Sequence, residues 1–116
     1  VQTCALPIYD DQVNLAVSPN YIHSLDASHM WMTMNRIINS GITNFSFVHD
    51  SYGCAAPYVL MMRQYTKEEF YEMHKDPLLN KLKEELQLLL GVELPTLPEG
   101  GNFEVSSVLE AEYFFH

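Results

Sequence analysis

The stretch Phe45-Ser46-Phe47-Val48-His49-Asp50-Ser51-Tyr52-Gly53-Cys54 decides how the rest of the chain is read. Its first four residues alternate aromatic or β-branched side chains with small polar ones, the pattern of a short half-buried strand. The pattern breaks at His49-Asp50-Ser51, and Tyr52 with Gly53 opens a second short run. Strand, polar break and second run predict a hairpin with an ionisable tip. Asp50 is then a carboxylate on rigid backbone at a sheet edge, where it can reach a cation without being buried and neutralised. Two readings stand side by side at this point. Asp and Ser are ordinary turn residues that bond their own backbone, and the same Asp50 is well placed to hold a metal. A hydrolase triad of His49, Asp50 and Ser51 is excluded, because neighbours on an extended segment point to opposite faces while a triad converges.

On the N-terminal side, residues 21–39 carry apolar side chains near helical spacing, with Asp26 or Ser24 as a cap and Gly41 as a stop. This predicts a helix of about four turns. Residues 9–18 read as an extended polar approach, with Ser18-Pro19-Asn20 as a turn. His23, Asp26 and His29 suggest a metal site, but at about 100° per residue His29 lies some 240° round from His23. A three-ligand site on this helix is therefore rejected. His29 is read as a helix-surface or core-edge histidine, and His23 with Asp26 as either helix-entrance capping or a functional pair.

On the C-terminal side, Pro57-Tyr58 starts a helix to about Gln64 and Thr66-x-x-Glu69 resembles a capping box opening another to His74, the two being separate or continuous. Asp76 as N-cap and Pro77 start a further helix ended by Gly91, with Leu78, Leu79, Leu82, Leu86, Leu89 and Leu90 as a core-facing stripe. Residues 94–101 are too rich in Pro and Gly for regular structure. Residues 103–112 allow a short helix before Tyr113-Phe114-Phe115-His116, whose aromatics are expected to dock back.

Composition narrows the class. A chain of 116 residues with 47% hydrophobic residues is at most one domain and is not disordered by composition. It has no apolar run of membrane-spanning length and no secretory signal. The net charge of −9, with six scattered Lys and Arg, argues against nucleic-acid binding by this chain alone. Cys4 and Cys54 make no metal-spacing motif, and Cys54 reads as a small buried hydrophobe in a reduced setting. Residues 1–8, Val-Gln-Thr-Cys-Ala-Leu-Pro-Ile, have no charge and no period, and they back-translate to the end of a common sequencing-library adapter. They are read as a scar and set aside, leaving residues 9–116 as one unit of α+β type, a hairpin flanked by helices.

SPNYIHSLDASHMWMT at residues 18–33, then FVHDSYG at 47–53, then LPTLPEGGNFEVSSVLEAEYFF at 94–115 together resemble the C-terminal palm segment of the phage-type single-subunit DNA-dependent RNA polymerases, a family that includes mitochondrial and plastid enzymes. The resemblance implies a palm-type hairpin and two-metal nucleotidyl transfer, in which two divalent ions roughly 3.5–4 Å apart stabilise the attacking and leaving oxygens. Mg²⁺ suits this, since it binds through one or two carboxylates plus phosphates and water. By resemblance Asp50 is one of two metal-holding aspartates and His49 supports the tip and the primer end. His23 approaches the minor-groove edge of the nascent pair, Asp26 and Ser28 hold that motif in place, and Tyr52 lies near the nucleic acid. Tyr113, Phe114 and Phe115 form an aromatic C-terminal foot near the active site, and His116 is a departure without an assigned role. The implied partners are DNA template, RNA product, ribonucleoside triphosphates and the rest of the polymerase chain, without a membrane. The family's other metal aspartate and its fingers helix would lie upstream, so the isolated chain is expected to be inactive. Its setting is expected to be intracellular, with a phage-infected host cytoplasm preferred to the mitochondrion because of Gly53, where mitochondrial members tend to carry an aromatic. A reading of another class is a small acidic interaction module that binds a protein through the leucine-rich helix and aromatic tail.

Overall fold

A computed structural model describes residues 10–114. The order is helix α1 (Asp10–Asn39), strands β1 (Phe45–Val48) and β2 (Ser51–Cys54), and helices α2 (Val59–His74), α3 (Leu78–Leu90) and α4 (Ser107–Glu110). The described residues form an α+β fragment of four helices and a two-stranded antiparallel hairpin. The assigned scar, Phe115 and His116 lie outside the described residues.

Helix α1 corrects two expectations at once. Residues 10–20 are not an extended approach with a turn, because α1 runs unbroken through Pro19 for 30 residues, about 45 Å at 1.5 Å per residue. Proline in a helix interior removes one N–H and costs about 3 kcal/mol. Here residues 10–20 are exposed, so water can reach the carbonyl of Leu15 that the missing N–H would have paired, and the fixed φ of proline is itself helical. Asp26 and Ser24 consequently sit inside the helix and cap nothing, and the Ser24 hydroxyl donates to the carbonyl of Tyr21 at 2.7 Å.

The C-terminus of α1 launches the hairpin. Gly41 has φ +90, its N–H reaches the carbonyl of Ile38 at 3.0 Å, and the N–H of Ile42 reaches that of Ile37 at 3.3 Å. These are the paired bonds of a Schellman stop, which a left-handed glycine makes possible. Its usual hydrophobic contact is present, since Ile37 and Ile42 are both buried in one cluster with Met62. The chain leaves that cluster directly into β1. Phe45 faces Cys54, Phe47 faces Tyr52 and Val48 faces Ser51, and Phe45, Phe47, Tyr52 and Cys54 turn inward onto the cluster. Cys54 is half-buried rather than fully enclosed.

Ala56–Tyr58 forms a single tight turn that runs into α2. Thr66 does not open a second helix, because its hydroxyl donates to the carbonyl of Met62 at 2.8 Å and α2 continues through it. Helices α1 and α2 pack together, and Arg36 of α1 pairs with Glu68 and Glu69 of α2 while lying 4.6 Å over the ring of Tyr65.

Helix α3 starts after Pro77, and Gly91 ends it in the left-handed region at φ +63. Asp76 does not cap it but pairs with Lys81 at 2.9 Å. The leucine stripe is not a core face: no residue of α3 is buried, and Leu89 is 81% exposed. Residues 94–97 share a groove with Leu79, Leu82, Lys83 and Leu86. Those residues have no regular structure, and of 103–112 only Ser107–Glu110 is helical. The radius of gyration is 18.6 Å, against about 13 Å for a compact chain of this length, so much apolar surface stays uncovered.

Candidate active site at the hairpin turn

The hairpin turn has two central residues, His49 and Asp50, between Val48 and Ser51. His49 has φ +52, a conformation that costs a residue with a Cβ of the order of 1 kcal/mol. The two-residue loop demands it, because positive φ at its first position matches the twist of the flanking strands. Strain of this kind collects where geometry serves function.

The turn faces the middle of α1. His23, Asp26, Ala27 and Met30 recur at intervals of three and four, which places them on one stripe of the helix. They line a cleft of about 510 Å³ whose other wall is His49 and Asp50. Four of the residues singled out from sequence, His23, Asp26, His49 and Asp50, therefore meet in one cleft. Ser28 is not among them, and its hydroxyl donates to the carbonyl of Ser24 at 2.8 Å within α1. Tyr52 stands behind the cleft on the inward face of β2, its ring 4.5 Å from Phe47 and 6.3 Å from His29. Burial pushes its hydroxyl up to about 12, and the carboxylates of Asp26 and Asp50 push in the same direction. Tyr52 therefore stays protonated next to the acidic cleft.

Asp26 and Asp50 supply hard oxygen donors of the kind Mg²⁺ takes. Among the described residues there is no group of three or more His, Cys, Asp and Glu side chains that could hold a metal. The donor set fits a share of a Mg²⁺ site, completed by phosphate, water or other protein ligands, and does not fit a closed protein cage.

His29 is placed deeper than a surface or core-edge position. It is buried, and its Nε2 lies 2.8 Å from the carbonyl of Thr66. A carbonyl only accepts, so Nε2 carries the proton. Burial lowers the ring's affinity for a second proton, against an opposing effect of the Thr66 bond. Sequence reasoning did not reveal this cross-helix bond. The available signal was the register of His29 with Thr33 and Ile37, which form the buried stripe of α1.

The aromatic tail docks in part. Phe114 meets Phe70 edge-on at 5.0 Å, while Tyr113 is exposed beneath the guanidinium of Arg63 at 6.0 Å.

Helices around a two-stranded antiparallel hairpin, with a carboxylate at its turn, define an α+β unit of the type predicted. The family model described as DNA-dependent RNA polymerase matches residues 3–92, and the chain belongs to that family, in its phage-type single-subunit branch. It is 44% identical over 102 residues to the tobacco (Nicotiana tabacum) DNA-directed RNA polymerase 2B, chloroplastic/mitochondrial, covering 87% of this chain and 10% of that protein. It is 42% identical over the same length to tobacco DNA-directed RNA polymerase 1A, covering 87% of this chain and 65% of the relative. It is 41% identical to the mitochondrial DNA-directed RNA polymerase 1 of Arabidopsis thaliana, again over 87% of this chain and 10% of the relative. The chain thus spans about a tenth of the length of most of these relatives. No solved structure matches it. Among the described residues no helix is long and apolar enough to cross a membrane.

Proposed function

We propose that this chain is the C-terminal palm segment of a DNA-directed RNA polymerase that transcribes DNA into RNA by two-metal nucleotidyl transfer. The observation that carries the reading is the meeting of Asp50 and His49, at the hairpin turn, with His23 and Asp26 across one cleft. In this reading Asp50 is a Mg²⁺ ligand, and the bound ions stabilise charge on the attacking and leaving oxygens. His49 supports the primer end and His23 approaches the nascent pair. Asp26 lines the cleft and orients the His23 motif, Ser28 braces the helix behind it, and Tyr52 backs the turn. Tyr113, Phe114 and Phe115 are the foot.

The second metal aspartate belongs to the rest of the polymerase, so the isolated chain adds no nucleotides. Template, product and ribonucleoside triphosphates are partners of the intact enzyme, whose other parts supply the basic groove that a net charge of −9 denies this segment. The exposed leucines of α3 suit contact with those parts. That exposure also favours the second reading, a small acidic module whose leucines and aromatic tail bind a separate protein. The enzyme works inside cells. Its setting is better supported as a plant-type organelle than as a phage-infected cytoplasm, because the relatives are named chloroplastic or mitochondrial.

Localised cleavage tests the metal assignment. Residues 10–116 are placed in tobacco polymerase 2B in exchange for the matching stretch, and Fe²⁺ replaces Mg²⁺ under conditions that generate hydroxyl radicals. Backbone cuts centred on His49-Asp50 and on His23 to Asp26, lost in Asp50→Asn, are the expected result. Cuts elsewhere, or cuts that persist in the variant, overturn it.

A further inference from the structure

The C-terminal foot and the hairpin are joined through a series of ring contacts that runs outside the cleft. Phe114 packs edge-on against Phe70 at 5.0 Å. Phe70 in turn meets the ring of His29 at 5.6 Å and 89°, and His29 faces Tyr52 at 6.3 Å. Tyr52 lies two residues beyond Asp50 and packs on Phe47, its partner in the opposite strand. Helix α2 also holds the backbone just before the foot, because the ammonium of buried Lys67 donates to the carbonyl of Ala111.

The middle member of this series is the unusual one. An imidazole costs more to bury than an aliphatic side chain of similar size, and it is retained here with its proton fixed on Nε2 by the Thr66 carbonyl. That bond locks the ring plane, so one edge meets Phe70 while the other side meets Tyr52. A leucine at this position would fill the space without transmitting an orientation.

We infer that His29 is a positioning residue that couples docking of the C-terminal foot to the placement of the hairpin turn bearing Asp50, through Phe70 on one side and Tyr52 on the other. The inference rests on the polymerase reading above and assigns within it a role to residues outside the cleft. When Phe114 leaves, Phe70 loses its edge-on contact and keeps only its stacking on His74 at 4.1 Å, so its ring is freer to turn against His29 and the support that His29 gives Tyr52 is no longer fixed. The turn is then misplaced, which lowers the rate of the chemical step more than nucleotide binding.

A double-mutant cycle in the tobacco 2B chimera tests this, with single-nucleotide addition as the readout. His29→Gln keeps an N–H for the Thr66 carbonyl and removes the ring, and Phe114→Ala removes the far end. Each is expected to lower kcat about ten-fold with KM for the nucleotide within about two-fold, and the double variant is expected to lose about ten-fold rather than a hundred-fold. Multiplying losses, or an unchanged kcat in His29→Gln, overturn the coupling. Asp50→Asn separates the coupling from the activity: if it is inactive while the cycle is multiplicative, the polymerase reading stands and the coupling fails, and if it is fully active the polymerase reading itself fails. Hydrogen exchange at the Gly53 amide, which donates across the hairpin to the carbonyl of Ser46, gives a measurement on the 116-residue chain independent of turnover. Phe114→Ala is expected to speed it several-fold, and an unchanged rate overturns the coupling.

Discussion

The guanidinium of Arg36 donates from Nη1 to Glu69 Oε1 at 3.0 Å, tying the last turn of α1 to the middle of α2. Glu68 and the ring of Tyr65 complete its surroundings. The pair holds in register the two helices that carry the cleft wall and the foot. Because Arg36 is 37% exposed, solvent screens the ion pairs, and Arg36→Ala is expected to cost about 1 kcal/mol. Arg36→Lys loses the planar stacking on Tyr65 and falls between the two. Denaturant midpoints of the three proteins check the order.

His29 makes stability depend on pH. Burial depresses its folded-state pKa below the ordinary 6.5, with nearby His74 acting in the same direction and the Thr66 bond, Asp26 and Glu69 against it. Below 6.5 the unfolded chain takes up a proton that the folded chain resists, so the neutral ring's stabilisation is full above that value and is lost as pH falls through the folded pKa. Unfolding midpoints between pH 8 and pH 5 should therefore fall more steeply for the parent than for His29→Gln. Parallel curves would show that another group dominates.

His49→Gly separates stability from function. Glycine adopts φ +52 without strain, so the hairpin should gain up to about 1 kcal/mol. In the polymerase chimera the same change removes the imidazole from the cleft and should lower nucleotide addition. A variant that is both more stable and equally active would reduce His49 to a turn residue.

Pro19→Ala restores one N–H to the interior of α1. Since residues 10–20 are exposed, the gain should be local. Slower hydrogen exchange over that half of α1, with little change in the global unfolding midpoint, is the expected result.

How much of this was legible in the sequence depended on whether the determining contacts are local. The hairpin at Phe45 to Cys54 was legible because its strand alternation and polar break lie within ten residues, although the break was read as His49-Asp50-Ser51 and Ser51 opens β2. The stop at Gly41 was legible for the same reason. Pro19 was misread because its turn preference is a statistical tendency, while α1 has ample exposed backbone on which water can absorb one missing bond. The leucines of α3 showed that a face needs covering, and periodicity cannot say by what. His29 and Thr66 are 37 positions apart, and no local pattern announces a bond across that distance. The convergence of His23 and Asp26 with Asp50 was implied only by resemblance. It required α1 and the hairpin to be brought together by the Ile37, Ile42 and Met62 cluster.

The metal-holding role proposed for Asp50 is tested by single-nucleotide addition in the tobacco 2B chimera carrying Asp50→Asn. Asparagine preserves size and the exposed turn, so the unfolding midpoint should stay within about 0.5 kcal/mol of the parent. The account predicts a rate loss of at least about a thousand-fold, roughly 4 kcal/mol of transition-state stabilisation. Addition at the parental rate by the folded variant would contradict it.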